Sequence, residues 1–322
     1  MPFSPLISVI VAVYNGGLFI RKGISSILEQ SLCNIELIIV NDGSTDETEI
    51  ICNEYSRKDP RVHVFHEKHQ GVARARQVGI NNACGIYTIH IDADDNISQN
   101  MLEEMYNSAN NSGADILICD YMEVNHHGPI YHAQRPTVLT QEGVTNDLIQ
   151  GKLYGALWNK LIRTSCFRDN NVCFREDLTM REDMFFVLDV LPYCSKIAYL
   201  PEALYSYDKT SNASSLTNTY LSEDRKYYVQ ELKWHETALK NTLVSKENKE
   251  HVSNSLLNIA YITLSGNIFT KAEWKKSFSK YNDVFEKAAN NYKKRLVLMA
   301  INKHYHLAST IRAFLSILKR KA

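Results

Sequence analysis

The segment Leu6–Tyr14 constrains the fold more than any other stretch of this sequence. Its nine residues are nearly all apolar and many are β-branched. That pattern is typical of a strand buried on both faces, in a parallel sheet covered by helices on both sides. Similar strand segments recur at residues 35–40, 62–65, 87–91 and 115–119, with helical stretches between them. Alternation at this spacing predicts an α/β fold with a mainly parallel sheet.

The last third of the sequence has a different character. After Pro201 there is no further proline and only one glycine, Gly266, so residues that break helices are nearly absent. We therefore predict a helical region at about 216–322, after an α/β domain at 1–215. Within that domain we expect a nucleotide-binding half at about 1–120, followed by a less regular half at about 121–215. No apolar run approaches the roughly 20 residues that a membrane-spanning helix needs.

Charge is balanced overall but unevenly distributed along the chain. The 36 basic and 36 acidic residues cancel, which argues against a nucleic-acid partner. Residues 1–270 carry a net charge of −10 and residues 271–322 a net charge of +10. The end, 304–322, has the spacing of a basic amphipathic helix, which either contacts anionic lipid at the inner face of the membrane or packs on protein. We expect a cytoplasmic protein whose seven scattered cysteines are free thiols.

Polar residues follow three of the predicted strands. Asn15 follows the first, Asp42 the second, and Asp92, Asp94 and Asp95 the fourth. A single such residue is usually a turn or helix-capping residue. Three strand ends that carry them indicate a nucleotide site, because open α/β sheets bind ligands beyond the carboxyl ends of their strands.

The aspartate cluster after the fourth strand indicates a metal. Three carboxylates within four residues repel one another, and a divalent cation compensates for that repulsion. Mn²⁺ or Mg²⁺ would take carboxylate oxygens and leave positions open for phosphate. The sequence lacks the GxxxxGK[ST] phosphate loop and a GxGxxG after the first strand. It also lacks the glycine-rich, arginine-bearing loop expected of a sugar nucleotidyltransferase. A sugar nucleotidyltransferase is therefore the less favoured alternative function.

Taken together, these motifs resemble family 2 glycosyltransferases, of the kind that build bacterial capsule, lipopolysaccharide and exopolysaccharide. The resemblance covers roughly residues 5–215 and rests on segments 8–15, 39–46, 71–79, 91–95, 157–161 and 181–185, in that order. It implies a GT-A fold, which is Rossmann-like, with the helical region appended. It also implies inverting, metal-dependent transfer of a hexose from a UDP-sugar to a hydroxyl of a growing, lipid-diphosphate-linked glycan. The alternative is a sugar-nucleotide-binding subunit that has lost turnover.

The resemblance also implies roles for residues on the donor side. The uracil and ribose pocket would be lined by Ala12, Val13, Tyr14 and Asn15, with Asp42 accepting the uracil N3–H. The helix that starts at Gly71 would pass beneath the nucleotide, with Arg74 near it. Asp92 would bind the ribose, and Asp94 with Asp95 would hold the metal, although which of the three aspartates holds it stays open.

The resemblance implies that residues 121–215 form the acceptor half. Within it, Asp183 would be the catalytic base, supported by Glu182. An acceptor hydroxyl is a poor nucleophile and needs a base as it attacks. The same Glu-Asp pair could simply begin a helix, and the two interpretations are compatible. Trp158 is either an acceptor-sugar platform or a core residue, and Lys160 either a phosphate contact or a surface charge. After Tyr207 the chain has Asp208-Lys209 where relatives often have arginine, and we assign the histidines no role.

Overall fold

A computed structural model describes residues 4–178, 180–210, 225–264, 268–288 and 291–321, apart from the side chains of residues 303, 314 and 316–321. The chain divides into two compact units, residues 1–215 and 216–322. Each is built around its own hydrophobic core.

The first unit contains one mixed sheet of nine strands in its described residues. The strands are Ile7–Val13, Ile35–Asn41, Val62–His66, Tyr87–His90, Asn96–Ile97, Ile116–Asn125, Gly128–His132, Lys160–Arg163 and Ile197–Asp208, numbered β1 to β9. Four of them, in the order β3-β2-β1-β4, pair in parallel, and parallel pairing is what the alternation of strands and helices predicts. β8 then pairs antiparallel with both β4 and β6, and β6 pairs parallel with β9. The α/β class is confirmed, but the sheet as a whole is mixed.

The α-helices of this unit are α1 to α7: Ile20–Leu28, Thr48–Lys58, Val72–Asn82, Met101–Ser112, Gln141–Ile149, Thr164–Arg168 and Glu182–Val190. The sequence predicts α1 to α4 and allows a helix that begins at the Glu182-Asp183 pair, whereas α5 and α6 were not predicted. β1 and β2 are buried along nearly their whole length, which confirms the prediction of a strand with no water-facing side. β7 and β8 were not predicted, because their sequences carry polar and charged residues that hide the strand pattern.

The second unit is helical, as the scarcity of glycine and proline predicts. Its described helices are α8 to α13: Arg225–Lys240, Lys246–Thr263, Lys271–Phe278, Asn282–Lys287, Tyr292–Met299 and Tyr305–Lys321. Ser245 and Thr270 cap two of these helices through their side-chain oxygens. The buried Trp274 lies in the core of this unit, where its indole N–H donates to the carbonyl of Ala260 (3.0 Å).

The last helix, α13, packs on the core of its own unit through part of its apolar face. From the sequence, this face was expected to contact either lipid or protein. Ile311 and Leu315 lie against the core of the second unit, while Leu307 is exposed. Arg312 donates to the carbonyl of Tyr261 and lies over its ring. Phe314 and Leu318 are two further apolar residues of this helix, and their side chains lie outside the described residues. Across the described ranges, no helix combines the length and the apolar character needed to cross a bilayer.

Candidate active site

The loops that follow β1 and β2 are tied together by hydrogen bonds. Asn15 has a φ of +51°, and its side-chain oxygen accepts from the backbone N–H of Thr45 (2.8 Å). Its own N–H donates to the hydroxyl of Ser44 (2.8 Å). Tyr14 and Asn15 are exposed beside this tie, as the predicted nucleotide pocket requires. Ala12 is partly exposed, whereas the Val13 side chain points into the core, so Val13 could contact a nucleotide only through its backbone.

Asp42 organises the loop that precedes α3. One of its carboxylate oxygens accepts from the N–H of Gln70 and the other from the N–H of Gly71, both at 2.9 Å. Gly71 has a φ of +95°, a conformation that favours glycine, and it leads directly into α3. The predicted contact of Asp42 with uracil is not tested by these bonds, but they show what holds the carboxylate in place.

His69 belongs to the same site, although the sequence analysis assigned it no role. Its Nδ1 lies 2.9 Å from a carboxylate oxygen of Asp42, and its ring stacks on Tyr14 with centroids 4.0 Å apart. No spacing in the sequence could have indicated this, because the stack joins side chains from two separate loops.

The aspartate cluster after β4 does not act as one group. Asp92 and Asp94 are partly buried, whereas Asp95 is almost fully buried. The two oxygens of Asp95 accept from the Tyr205 hydroxyl (2.5 Å) and the Asp208 N–H (2.7 Å). Burial, and then the charge of Asp92, raise the pKa of Asp95 to about 9. These two hydrogen bonds join the cluster to β9, and the role of Asp95 as a metal ligand stays a prediction.

A buried arginine that the sequence analysis passed over links this loop to the predicted base. Arg76 lies on α3 and is almost fully buried. One of its terminal nitrogens donates to Asp92 (3.0 Å) and the other to Glu182. Burial opposes the arginine's charge, yet Glu182 and Asp92 outweigh it and raise its pKa. The loop after β4 and the start of α7 therefore meet on one guanidinium.

Glu182 and Asp183, the predicted supporting residue and catalytic base, lie at the first turn of α7. Burial raises the pKa of Glu182 to about 7, and it also raises the pKa of Asp183. One oxygen of Asp183 accepts from the N–H of Met184 (2.7 Å). The residue before the pair, Arg181, has a φ of +59°, which is unusual for a residue that is not glycine. The Glu-Asp pair thus begins a helix, which the sequence analysis allowed beside a catalytic role.

Trp158 and Lys160 are both buried, whereas a side chain that stacks on a sugar or contacts a phosphate needs exposed surface. Trp158 is 3% exposed and stacks on Tyr205, with centroids 4.3 Å apart. Lys160 has no exposed surface, and its Nζ donates to the carbonyls of Tyr154 and Ala156 and to the side chain of Asn159. Burial lowers the pKa of this lysine to about 7. Lys160 is therefore not a surface charge, and three protein acceptors already surround its amine.

Arg74, which the resemblance places near the nucleotide, is partly exposed on α3. It donates to Glu176 at 2.9 Å. Within the residues that the structure describes, no group of three or more His, Cys, Asp or Glu side chains converges to hold a metal. Any metal here would need ligands from the substrate as well as from the protein.

This sheet, with polar loops at the carboxyl ends of its parallel strands, is an α/β sugar-nucleotide fold. The profile described as "Glycosyl transferase family 2" matches residues 8–172. The "Putative glycosyltransferase EpsH" of Bacillus subtilis (strain 168) is 33% identical over 293 residues, which cover 89% of this chain and 82% of that protein. The "Glycosyltransferase GlyG" of Streptococcus pneumoniae is 31% identical over 235 residues, covering 68% and 76%.

Solved structures agree on the fold. TarS 1-349 of S. aureus, crystallised with UDP-GlcNAc, superposes with a TM-score of 0.71 at 20% identity, over 95% of this chain and 90% of that one. The mannosyltransferase PcManGT of Pyrobaculum calidifontis, in complex with GDP-Man and Mn²⁺, has a TM-score of 0.54 at 14% identity, over 98% and 86%. The chain belongs to glycosyl transferase family 2. It is a glycosyltransferase of the GT-A fold, with a helical C-terminal region.

Proposed function

We propose that this enzyme transfers a hexose, with inversion, from a UDP-sugar to a hydroxyl of a growing surface glycan. The observation that carries this proposal is the guanidinium of Arg76, which holds Asp92 and Glu182 at the same point. A donor-side carboxylate and the segment of the base are thereby brought to one place. Inverting transfer needs that proximity, because nucleophile and leaving group act on opposite sides of one anomeric carbon.

Asp183 would take the proton from the acceptor hydroxyl as that oxygen attacks the anomeric carbon. The new glycosidic bond forms as the bond to UDP breaks, and UDP leaves with the bonding electron pair. Burial keeps the pKa of Asp183 above its ordinary value, which makes its carboxylate a stronger base. Arg76 and the N–H of Met184 favour the ionised form that the proposed mechanism requires.

Asp94 is our candidate for the metal ligand, with Asp92 beside it. Both are partly buried carboxylates after a parallel strand, a donor set that suits Mg²⁺ or Mn²⁺. These cations commonly bind one or two carboxylates and complete their coordination with water and phosphate oxygens, which fits the lack of a larger ligand group in the described residues. When bound, such a cation would neutralise charge on the diphosphate. The Mn²⁺ complex of PcManGT supports the use of a divalent cation in general.

The donor assignment draws on the exposed aromatic edge of the site. Tyr14, backed by His69, presents a ring to solvent next to the Asn15–Thr45 tie, as a nucleobase contact requires. The UDP-GlcNAc and UDP complexes of TarS support a uridine nucleotide.

The test is UDP release from a panel of UDP-sugars in the presence of Mn²⁺, beginning with glucose, galactose and their N-acetyl forms. Asp183→Asn should lower transfer by roughly 10²- to 10⁴-fold while UDP affinity stays unchanged, because only the base is lost. Asp189→Asn, on the same helix but paired with Arg175, is the matched control and should keep transfer. Retained transfer in Asp183→Asn would remove Asp183 from the base role.

We also propose a lipid-diphosphate-linked acceptor and contact of residues 304–322 with the inner membrane surface. Support comes from the net charge of +10 in residues 271–322 and from the exposed Leu307. Replacing Lys319, Arg320 and Lys321 by alanine should weaken co-sedimentation with anionic vesicles. Replacing Lys275, Lys276 and Lys287 removes the same charge elsewhere in this region and serves as the control. Equal loss in both variants would reject the end of the chain as the contact.

A further inference from the structure

One aromatic side chain on the segment that packs against Met184 is partly exposed. Tyr154 is 40% exposed, whereas Trp158 beneath it is 3% exposed. The two rings lie 5.6 Å apart between centroids, and Tyr121 lies 5.8 Å from Tyr154. Tyr154 is therefore the outer member of an aromatic cluster whose inner members support it.

The backbone of Tyr154 is fixed on both sides. Its N–H donates to the side-chain oxygen of Gln134 (2.7 Å), and its carbonyl accepts from the buried amine of Lys160 (2.8 Å). Lys160 also donates to the carbonyl of Ala156 (2.6 Å), so one amine holds this segment at two points. An aromatic ring held in this way loses little conformational entropy when it binds a ligand.

This segment lies directly against the base. A Cβ built on Gly155 would lie 2.7 Å from the Cβ of Met184, the residue that follows Asp183. Glycine thus allows the two segments to touch. Electrostatics agree with this placement: burial, then Tyr207 and then the charge of Asp183, raise the pKa of the Tyr154 hydroxyl.

We propose that Tyr154 is the platform of the acceptor subsite, on which the apolar face of a pyranose ring stacks. A sugar that lies on this ring could present a hydroxyl at its edge to Asp183. Trp158 and Lys160 then act as positioning residues, one beneath the ring and the other behind its backbone. The inference rests on the proposed function, since it takes Asp183 to be the base.

The experiment compares Tyr154→Ala, Tyr154→Phe and Tyr193→Ala with the unchanged protein. Tyr193 is an exposed tyrosine of the same unit, at 44%, and is the control. Saturation-transfer NMR with UDP present would measure binding of the methyl β-glycosides of glucose, galactose, N-acetylglucosamine and N-acetylgalactosamine. Tyr154→Ala should weaken binding of the preferred glycoside about tenfold, because ring contact and burial of the sugar's apolar face are both lost. Tyr154→Phe and Tyr193→Ala should keep it.

Three results would overturn the proposal. They are unchanged glycoside binding in Tyr154→Ala, a loss of UDP binding in that variant, or no glycoside bound by the unchanged protein. Failure of the proposed function would look different, because Asp183→Asn would retain transfer whatever Tyr154 did to glycoside binding. Circular dichroism of each variant separates loss of the subsite from loss of the fold. If Tyr154→Ala unfolds, Tyr154→Leu is measured in its place.

Discussion

Two regions of the site are held together by different forces. The donor-side loops, residues 14–17, 42–46 and 69–71, are joined by hydrogen bonds, several of them at the surface, and by the contacts of His69 with Asp42 and Tyr14. The base-side cluster comprises Arg76, Asp92, Glu182 and Asp183. Its centre is the ion pair between the buried Arg76 and the buried Glu182, while Asp92 and Asp183 are partly exposed. A hydrogen bond near water contributes roughly 1 kcal/mol, whereas removing one member of a buried ion pair costs several. The donor side should therefore tolerate adjustment to a ligand that the base side would not.

The largest effect is expected from Arg76→Met. This change leaves Glu182 buried without its cation, and we expect the free energy of unfolding to fall by about 3–5 kcal/mol. Transfer should fall with it, because Asp183 loses the charge that favours its ionised form. Urea denaturation and UDP release measure the two effects.

Arg74→Met is the matched control, two residues earlier on the same helix. Its partner Glu176 is about half exposed, so water can replace the lost contact and the stability should change far less. Equal destabilisation by Arg76→Met and Arg74→Met would contradict the inference that the buried ion pair of Arg76 matters more for stability than an exposed one.

A smaller effect is expected from Asp42→Asn on the donor side. The amide replaces one carboxylate oxygen by an NH2 group, so the N–H of either Gln70 or Gly71 would face a donor where it now has an acceptor. The Gly71 loop should loosen and UDP affinity should fall about tenfold, with a minor loss of stability. Calorimetric titration with UDP measures this. Asp59→Asn, whose carboxylate pairs with Arg61, should leave UDP affinity intact.

The smallest effect is a shift in pH dependence on the base side. Asp183 must be ionised to act as the proposed base, and its raised pKa predicts that the acid limb of transfer lies at higher pH than an ordinary aspartate would give. Glu182→Gln removes a neighbouring negative charge, so Asp183 should ionise more easily. The acid limb of kcat/KM should then move down by about half a pH unit. A shift to higher pH would contradict this coupling.

The raised pKa of Glu182 also predicts how the stability of the folded state changes with pH. The folded pKa of Glu182 is raised from 4.5 to about 7, so the folded state holds this proton more tightly. That contribution is fully present below pH 4.5 and is lost as pH rises through about 7. The stability of the unchanged protein relative to Glu182→Gln should therefore fall across this window, and urea denaturation at several pH values would show it.

The donor-side loops could be located from the sequence because their chemistry is local. Each lies at the end of a buried strand, and the carboxyl ends of parallel strands lie on one edge. Asn15, Asp42 and the aspartate cluster were found on that basis, and Tyr14 and Gly71 by resemblance. The differences of burial within the cluster could not be found this way. The sequence of the loop does not show that the Asp95 side chain is buried and accepts a hydrogen bond from Tyr205, 110 residues away.

The acceptor side depended on contacts between distant segments. Trp158 and Lys160 were noticed as motif residues, but only their burial showed that they support Tyr154 and do not themselves face a sugar. Arg76 carried no signal of its own, since an arginine on a helix is usually solvated.

The sequence by itself determined the α/β class, the helical C-terminal region, the glycosyltransferase family and the polar loops at the strand ends that we assign to the donor. These follow from patterns repeated every few residues, and from strand ends that share an edge. The tertiary structure alone decided which carboxylates stay accessible, which arginine links Asp92 to Glu182, and which aromatic ring is left exposed near the base. Burial and charge pairing depend on segments far apart in the chain, and local pattern does not record them.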